Sequence, residues 1–248
     1  MKDITINTQY FKEINSYNKA YLLGFIAADG AIVQKEGFST KTLTITIHAK
    51  DVAILELLKL ELNSSLNIKD ITCKSKSLSS YKLDVNHKRF TTSKKEIIAD
   101  LEKVGLTPNK SLTMPNLVVN IPESYRKAFI IGYFDGDGCF IDSKITRKRM
   151  YTKKNGTQSI YIGEKWNSSI SIKGTEQFLK GIVQELNIES YHLRQISGQN
   201  IHTLTITKNC EILKFYDCYN YCDFFLPRKK NKFTRKIVQV QTISSPLK

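Results

Sequence analysis

The pattern of apolar and polar positions divides the chain of 248 residues into two halves with the same order of elements. Each half has a continuous apolar run near its start, at residues 21–28 and 128–134, which we take as a helix. Apolar and polar residues then alternate at 43–47 and 168–172, as in strands that bury one face of a sheet. The apolar spacing at 51–63 predicts another helix. Each half is therefore predicted to run helix, two strands, helix, two strands, helix.

The two halves meet at a segment without periodicity, which runs from Gly105 through two prolines to Pro122. Glycine and proline interrupt helices and strands, so this segment is predicted to be the connection. We therefore predict an α+β chain of two pseudo-symmetric αββαββα halves with antiparallel sheets, one at residues 1–115 and one at 116–248.

Composition excludes several classes of protein. Hydrophobic residues make up 41% of the chain, which is normal for a packed globule and argues against overall disorder. The longest apolar runs fall far short of the ~18 residues that a membrane span needs, and no secretory signal opens the sequence. The five cysteines are scattered without a CxxC pair, so we expect neither a disulfide framework nor a zinc site. A reducing intracellular compartment is expected: bacterial or phage-infected cytoplasm, or an organelle.

The charge balance points to a polyanionic partner. Lys and Arg number 38 against 23 Asp and Glu, which gives a net charge of +15. Such an excess favours binding to nucleic acid, although a merely basic protein would show the same balance. No amphipathic helix concentrates the charge on one face, so a membrane surface is not the expected partner.

An eleven-residue pattern occurs twice, as AYLLGFIAADG at residues 20–30 and AFIIGYFDGDG at 128–138. In a helix, Gly24 and Ala28 form a narrow stripe with almost no side chain, and so do Gly132 and Gly136. Two such stripes allow two helices to approach closely.

Asp29 and Asp137 end the two predicted helices and would therefore lie side by side. Two adjacent carboxylates repel each other, and the negative ends of two helix dipoles add to the repulsion. A divalent cation would relieve it, and carboxylate-bound metals serve phosphodiester hydrolysis. One Asp-Gly pair is also a common helix stop, but two copies in equivalent places favour the metal site.

The segments LLGFIAADG and IIGYFDGDG resemble the two motifs of a single-chain LAGLIDADG homing endonuclease. The resemblance implies that the two motif helices form the pseudo-two-fold interface and that the sheets form a DNA-binding saddle. It implies that Asp29 and Asp137 bind the catalytic Mg²⁺, or another divalent cation such as Mn²⁺. The backbone carbonyls of Ala28 and Gly136 are implied as further metal ligands.

The first motif departs from the family name at Ala27, where the spelled-out motif has aspartate. This position is not the implied metal ligand, so the departure does not argue against activity. Its counterpart in the second motif, Asp135, is not expected to be a ligand either.

Two further segments, PNKSLTMP at 108–115 and LPRKKNKF at 226–233, resemble family segments in which a lysine points back to the active site. The resemblance assigns this role to Lys110 and Lys229, with the neighbouring Lys230 as an alternative to Lys229. A lysine there can polarise the attacking water or balance phosphate charge in the transition state. A solvated lysine near DNA is the other interpretation.

The resemblance also implies that both sheets lie in successive major grooves of DNA, with outward strand residues near the base edges. Arg, Lys and Gln have suitable donors for guanine and adenine, although each could equally contact phosphate. A basic insertion, RKRMYTKK at 147–154, is expected to extend one ribbon. The candidate DNA-binding residues are Gln34, Lys35, Lys41, Lys74, Lys76, Lys82, Arg147, Arg149, Lys153, Lys154, Lys173, Arg194 and Gln195.

These features predict a monomeric, intron-encoded endonuclease that makes metal-dependent staggered double-strand breaks in a long non-palindromic site of double-stranded DNA. An intron RNA maturase, or a non-cleaving DNA-binding protein on the same fold, is the alternative. Retention of both acids favours cleavage, because a pure binding protein gains nothing from their repulsion. An intein is not expected, since the ends of the sequence lack the residues that splicing needs.

Overall fold

The computed structural model describes residues 4–34, 36–74 and 84–238, without the side chains of residues 73, 74, 84 and 85. The elements of the first half are α1 (Tyr17–Asp29), β1 (Gly30–Gln34), β2 (Lys41–His48), α2 (Ala53–Glu61), β3 (Lys69–Lys74), β4 (Asp84–Thr92), α3 (Lys95–Val104) and the short α4 (Lys110–Thr113). Those of the second half are α5 (Arg126–Asp137), β5 (Gly138–Thr152), β6 (Gln158–Gly174), α6 (Glu176–Glu185), β7 (His192–Gln195), β8 (His202–Ile206), α7 (Asn209–Asp217) and the short α8 (Pro227–Lys230). The predicted αββαββα order is confirmed in both halves, and each half adds one short helix.

Each half contains an antiparallel sheet, with the strand orders β1-β2-β4-β3 and β5-β6-β8-β7. The first strand of each sheet begins at the last glycine of a motif, because Gly30 pairs with Ile45 and Gly138 with Ile172. Alternate residues bury one face of each sheet against the helices and leave the other face open. The buried face carries Ile32, Leu43, Ile45, Ile47 and Phe90 in the first sheet, and Phe140, Ile170, Ile172, Leu204 and Ile206 in the second.

The two motif helices, α1 and α5, pack directly against each other, and their central residues, 20–27 and 128–135, are buried. A Cβ atom added to Gly24 would overlap the carbonyl oxygen of Phe129, and one added to Gly132 would overlap that of Tyr21. The helix backbones are therefore too close for any side chain at these two positions.

The hairpin of β5 and β6 is much longer than its counterpart in the first half. Its strands have 15 and 17 residues, whereas β1 and β2 have 5 and 8. Because β6 pairs with β8 only over residues 170–174, the outer part of the hairpin is a two-stranded ribbon. The predicted extension by the basic insertion is therefore present.

A single hydrophobic core extends through both halves, and the connecting segment contributes Leu117 and Val118 to it. The boundary between residues 115 and 116 therefore stays a prediction. Within the described ranges, no helix combines the length and the apolar character needed to cross a membrane.

Candidate active site and nucleic-acid interface

Asp29 and Asp137 are the last residues of α1 and α5, and both remain accessible to solvent. A Cβ atom added to Gly136 would lie 3.3 Å from Asp29 Oδ2, so this carboxylate lies against the end of the other motif helix. The structure thus brings the two predicted metal-binding residues to one place, at the open side of the helix pair.

The surroundings of these two carboxylates disfavour their charged forms. Partial burial and the negative charge of Asp137 raise the pKa of Asp29 to about 6, and burial also raises the pKa of Asp137. The positive charges of Lys110 and Lys229 oppose both changes. Both helices also direct the negative ends of their dipoles here, so the arrangement attracts a cation.

Lys110 reaches the site from the short helix α4. It is 6% exposed, and its Nζ donates a hydrogen bond to the carbonyl oxygen of Ala28 at 2.9 Å. Burial lowers the pKa of Lys110 to about 8, although both aspartates favour its charged form. The chain enters α4 through Asn109, whose φ of 60° lies in the left-handed region that asparagine tolerates better than most residues.

Lys229 reaches the site from α8 in the second half, and it is 7% exposed. Its Nζ donates to the carbonyl oxygens of Phe134, Gly136 and Gly138 at 2.7, 3.1 and 2.8 Å. Burial lowers the pKa of Lys229 to about 8. The neighbouring Lys230 lies instead over the ring of Phe225, 4.0 Å from its centroid. Of the two lysines, the structure therefore places Lys229 at the site.

Lys110 donates to the carbonyl of Ala28 and Lys229 to that of Gly136, which are among the last carbonyls of α1 and α5. The last carbonyls of a helix have no donor within the helix. One ammonium group at each helix end compensates the negative end of the dipole, which gives these lysines a structural function as well. A carbonyl oxygen has two lone pairs, so the carbonyls of Ala28 and Gly136 can accept the lysine bond and still offer a metal ligand.

A cavity of about 190 Å³ adjoins Asp137 on the side of the second sheet. Its lining includes Ser111, Tyr133 and Lys173. The positive charge of Lys173 helps to counter the rise in the pKa of Asp137. Lys173, predicted only as a DNA contact, therefore also lies beside the carboxylate site.

Asp135 has a structural position that the motif pattern did not reveal. It is 2% exposed, and its Oδ2 accepts hydrogen bonds from Tyr21 Oη at 2.8 Å and from the backbone N of Leu226 at 2.7 Å. Burial raises its pKa to about 6. The first motif has Ala27 at the position where the second has Asp135. This difference was the sequence signal that the aspartate has a role in the second half alone.

The open sheet faces carry part of the predicted DNA-binding set. Strand alternation places Arg147, Arg149, Lys173 and Arg194 on the face opposite the core. Lys153 and Lys154 lie in the exposed turn at the tip of the β5–β6 ribbon. Lys35, Lys76 and Lys82 lie outside the described residues, as does the side chain of Lys74.

Two candidates from the first sheet lie on its helix-packed face, which corrects their assignment. Lys41 Nζ forms an ion pair with Glu102 of α3 at 2.6 Å. Gln34 is on the same side as the buried Ile32, and its Nε2 donates to the carbonyl oxygen of Phe38. Both residues were selected by side-chain type, whereas the register decides the face.

Gln195 requires the same correction in the second sheet. It pairs with the buried His202 and therefore shares the core side of the strand. Its Nε2 donates to the carbonyl oxygen of Gln199 at 3.1 Å, within the β7–β8 hairpin.

Three basic residues on the open faces were missed: Lys69, Arg89 and Lys165. Arg89 is next to the buried Phe90 and so points to the opposite face, where its Nε donates to Thr46 Oγ1 at 2.9 Å. Period-two counting from Phe90 would have identified Arg89, but only once Phe90 was known to be the core residue.

Comparison with known proteins shows what this chain resembles. Residues 124–218 match the family model of a LAGLIDADG-like domain. The chain is 21% identical over 225 residues to a probable intron-encoded endonuclease 4 of Neurospora crassa, a match that covers 86% of this chain and 39% of that protein. The chain thus spans about two fifths of the length of this curated relative.

Solved structures match both halves within one chain. The I-LtrWI LAGLIDADG homing endonuclease bound to target DNA has a TM-score of 0.56 at 16% identity, over 92% of this chain and 91% of that one. The LAGLIDADG meganuclease I-AabMI bound to uncleaved DNA has a TM-score of 0.57 at 15% identity, over 93% of this chain and 91% of that one. I-SmaMI bound to its uncleaved DNA target in the presence of calcium ions has a TM-score of 0.54 at 13% identity, over 94% of this chain and 95% of that one.

The chain therefore has the fold of the LAGLIDADG homing endonucleases. The family resemblance predicted from the two motifs is confirmed, because a LAGLIDADG-like domain spans α5 to α7 and both halves align with these structures.

Proposed function

We propose that this chain is a site-specific DNA endonuclease that makes metal-dependent, staggered double-strand breaks in a long non-palindromic site. The observation that carries the proposal is the meeting of Asp29, Asp137, Lys110 and Lys229 at the open end of the two motif helices. A protein that only binds DNA has no use for two carboxylates whose charged forms are disfavoured by each other and by burial.

The donor set at this place fits Mg²⁺ or a similar hard cation. The described part of the chain has no group of three or more His, Cys, Asp or Glu that could hold a metal. Mg²⁺ needs less from the protein, since it usually takes one or two carboxylates and completes its shell with water and substrate phosphates. Asp29 and Asp137 would supply these carboxylates, with the Ala28 and Gly136 carbonyls beside them.

The residues of the chain would divide the chemistry between them. A bound divalent cation supplies Lewis acidity and a more acidic water at the phosphate. With pKa values of about 8, Lys110 and Lys229 stay mostly protonated at pH 7 and present positive charge to the developing negative charge of the phosphate. The open sheet faces, with Arg89, Arg149 and Arg194, would hold the duplex on both sides.

The two sheets differ in length and in side chains, so the two half-sites they contact would also differ. A monomer with unequal halves needs no symmetric target, which supports a non-palindromic site. Because both halves share one core, we propose that the monomer is the active form.

The experiment is a cleavage selection on a plasmid library that carries randomised sites. Purified protein is incubated with the library in Mg²⁺ or in EDTA, and linearised molecules are recovered and sequenced at both cut ends. We expect one long site, cut with a stagger in Mg²⁺ only. Binding to library members without recovery of any linear product would contradict cleavage and favour the non-cleaving alternative.

A further inference from the structure

The segment that carries Lys229 is attached to the opposite half of the chain. Arg228 Nε and Nη2 donate to Asp51 Oδ1 and Oδ2 at 2.6 and 2.5 Å. Asp51 is 7% exposed and lies in the 3-10 turn between β2 and α2, in the first half. A bidentate pair of guanidinium and carboxylate fixes direction as well as distance, so it orients the helix turn that holds Lys229.

A second attachment acts at the start of the same turn. The backbone N of Leu226 donates to Asp135 Oδ2, and the same oxygen accepts from Tyr21 Oη of α1. Asp135 therefore connects the first motif helix to the beginning of α8. The first half is therefore connected to the Lys229 segment at two separate points, directly through Asp51 and indirectly from Tyr21 through Asp135.

The segment that carries Lys110 is attached in the reverse direction. Thr175 Oγ1 of the second half donates to the carbonyl oxygen of Met114 at 2.5 Å, and Asn200 Nδ2 donates to that of Leu112 at 2.6 Å. Thr175 is 3% exposed and is also the N-cap of α6. Thr175 and Asp51 occupy corresponding places, since each lies between the second strand of its half and the helix that follows.

We infer that Asp51 and Thr175 are positioning residues, each of which holds the lysine-bearing turn of the other half. This inference rests on the proposed function and extends it, because it assigns control of each lysine to one residue across the interface. Lys110 and Lys229 approach the ends of different motif helices, so each serves one of the two scissile phosphates. Loss of the Asp51 contact then impairs one strand cut, and loss of the Thr175 contact impairs the other.

The two attachments also differ in chemistry. Asp51 holds Arg228 by a charged pair, whereas Thr175 and Asn200 hold α4 by neutral hydrogen bonds, which are individually weaker. A displacement of about 1 Å in a catalytic group can cost on the order of 100-fold in rate. We therefore expect at least a tenfold effect on one strand when Asp51 is changed.

The test measures both strand cuts separately in single-turnover reactions on a duplex with a different label on each strand. Lys229→Met and Lys110→Met first identify the strand that each lysine serves. Asp51→Asn is expected to slow the Lys229 strand tenfold or more and the other strand less than twofold. Thr175→Val is expected to slow the Lys110 strand, and Thr175→Ser, which keeps the hydroxyl, to restore it. Equal slowing of both strands, or no slowing, overturns the inference.

Two further variants keep the test decisive if a first choice does not fold. Arg228→Lys retains the charge but loses the bidentate geometry, and it should reproduce the strand bias of Asp51→Asn. Asn200→Ala leaves the cap of α6 intact, and it should reproduce the bias of Thr175→Val. Absence of bias in these folded variants overturns the inference as well.

Hydrogen exchange separates failure of this inference from failure of the proposed function. Asp51→Asn should speed amide exchange at residues 226–233 and leave residues 110–114 unchanged, and Thr175→Val should do the reverse. If the wild-type chain cuts neither strand, the proposed function fails, while this exchange pattern still supports the crossed attachment. Amide exchange rates that rise equally in both segments, or in neither, overturn the crossed attachment.

Discussion

Lys229 and Lys230 are adjacent in sequence, yet the structure gives them opposite environments. Lys229 is buried against three carbonyl oxygens at the end of α5, whereas Lys230 lies over the ring of Phe225. The motif resemblance alone could not separate them, because a shift of one residue in a short helix changes its direction by roughly 100°. The one-turn helix that begins at Pro227 decides which lysine faces inward.

This difference predicts the effects of two neighbouring substitutions. Lys229→Met should slow cleavage by about 100-fold, because it removes the positive charge that would stabilise the reacting phosphate. Lys230→Met should change the rate less than threefold at saturating protein and serves as the matched control. Single-turnover cleavage measures both, and equal effects of the two substitutions would contradict the placement of Lys229.

Asp142 gives a pH prediction away from the active site. It accepts hydrogen bonds from Arg235 and from Ser168, and these contacts hold the pKa of its carboxyl below the usual value. A lowered pKa in the folded state contributes stability that is present at neutral pH and is lost as pH falls through the acidic range.

Asp142→Asn should therefore cost about 1.5–3 kcal/mol of unfolding free energy at pH 7, the range for hydrogen bonds to charged groups. The cost should shrink as the pH falls below about 4, the ordinary pKa of an aspartate, because the folded wild-type carboxyl then becomes protonated at its own, lower pKa. Urea unfolding at several pH values measures this difference. A cost that stays constant with pH would show that the charge of Asp142 is not what Arg235 binds.

At the scale of elements, the motif helices were the part of the fold most open to sequence-based prediction. Their small residues recur at a spacing of four, and the structure places Gly24 and Gly132 where a Cβ would overlap the backbone of the facing helix. Periodicity also predicted the order of strands and helices. It did not give the register, because alternation looks the same after a shift of two residues.

The strand comparison within the chain illustrates this limit. By alternation alone, YKLDV at residues 81–85 matches HTLTI at residues 202–206, the sequence of β8. The structure instead pairs Phe90 with Ile45 and Leu204 with Ile172, so the true counterpart of 202–206 is 88–92. The expected faces of Lys41 and Gln34 were wrong for a different reason, because both residues were chosen by side-chain type and not by their position in the alternation.

A leucine at the helix contact tests the packing of the motif helices. Gly24→Leu and Gly132→Leu should each lower stability by about 1–3 kcal/mol or more, because the side chain must displace the facing backbone. Glu56→Leu, at an exposed position of α2, is the matched control and should change stability by less than about 0.5 kcal/mol. Thermal unfolding measures all three, and an unchanged midpoint in both glycine variants would contradict the close contact.

At the scale of the whole molecule, the charge of +15 predicted nucleic-acid binding but could not locate it. The location depends on which side of each strand carries the basic residue. Arg149 and Lys148 are neighbours on β5 but lie on opposite faces of the ribbon, with Arg149 on the open face of the sheet.

This arrangement predicts different salt dependence for two adjacent substitutions. The logarithm of the binding constant falls with log salt by about 0.9 per phosphate contacted. Arg149→Ala should therefore flatten the slope by about one, and Lys148→Ala should leave it nearly unchanged. Fluorescence anisotropy with duplex DNA at several salt concentrations measures the slopes. A larger change in slope for Lys148→Ala than for Arg149→Ala would place the duplex on the other face of the ribbon.

We propose that Asp29 and Asp137 form one DNA-cutting centre that requires a divalent cation. The most direct measurement is the single-turnover rate of each strand cut on the recovered site, in Mg²⁺ and in EDTA. It compares the wild-type chain with Asp29→Asn, Asp137→Asn and the surface control Asp217→Asn. We predict that either motif substitution lowers double-strand cleavage by about 100-fold or more while DNA binding persists, and that EDTA abolishes cutting. Double-strand cleavage at the wild-type rate in either motif variant, or undiminished cutting in EDTA, would contradict the account.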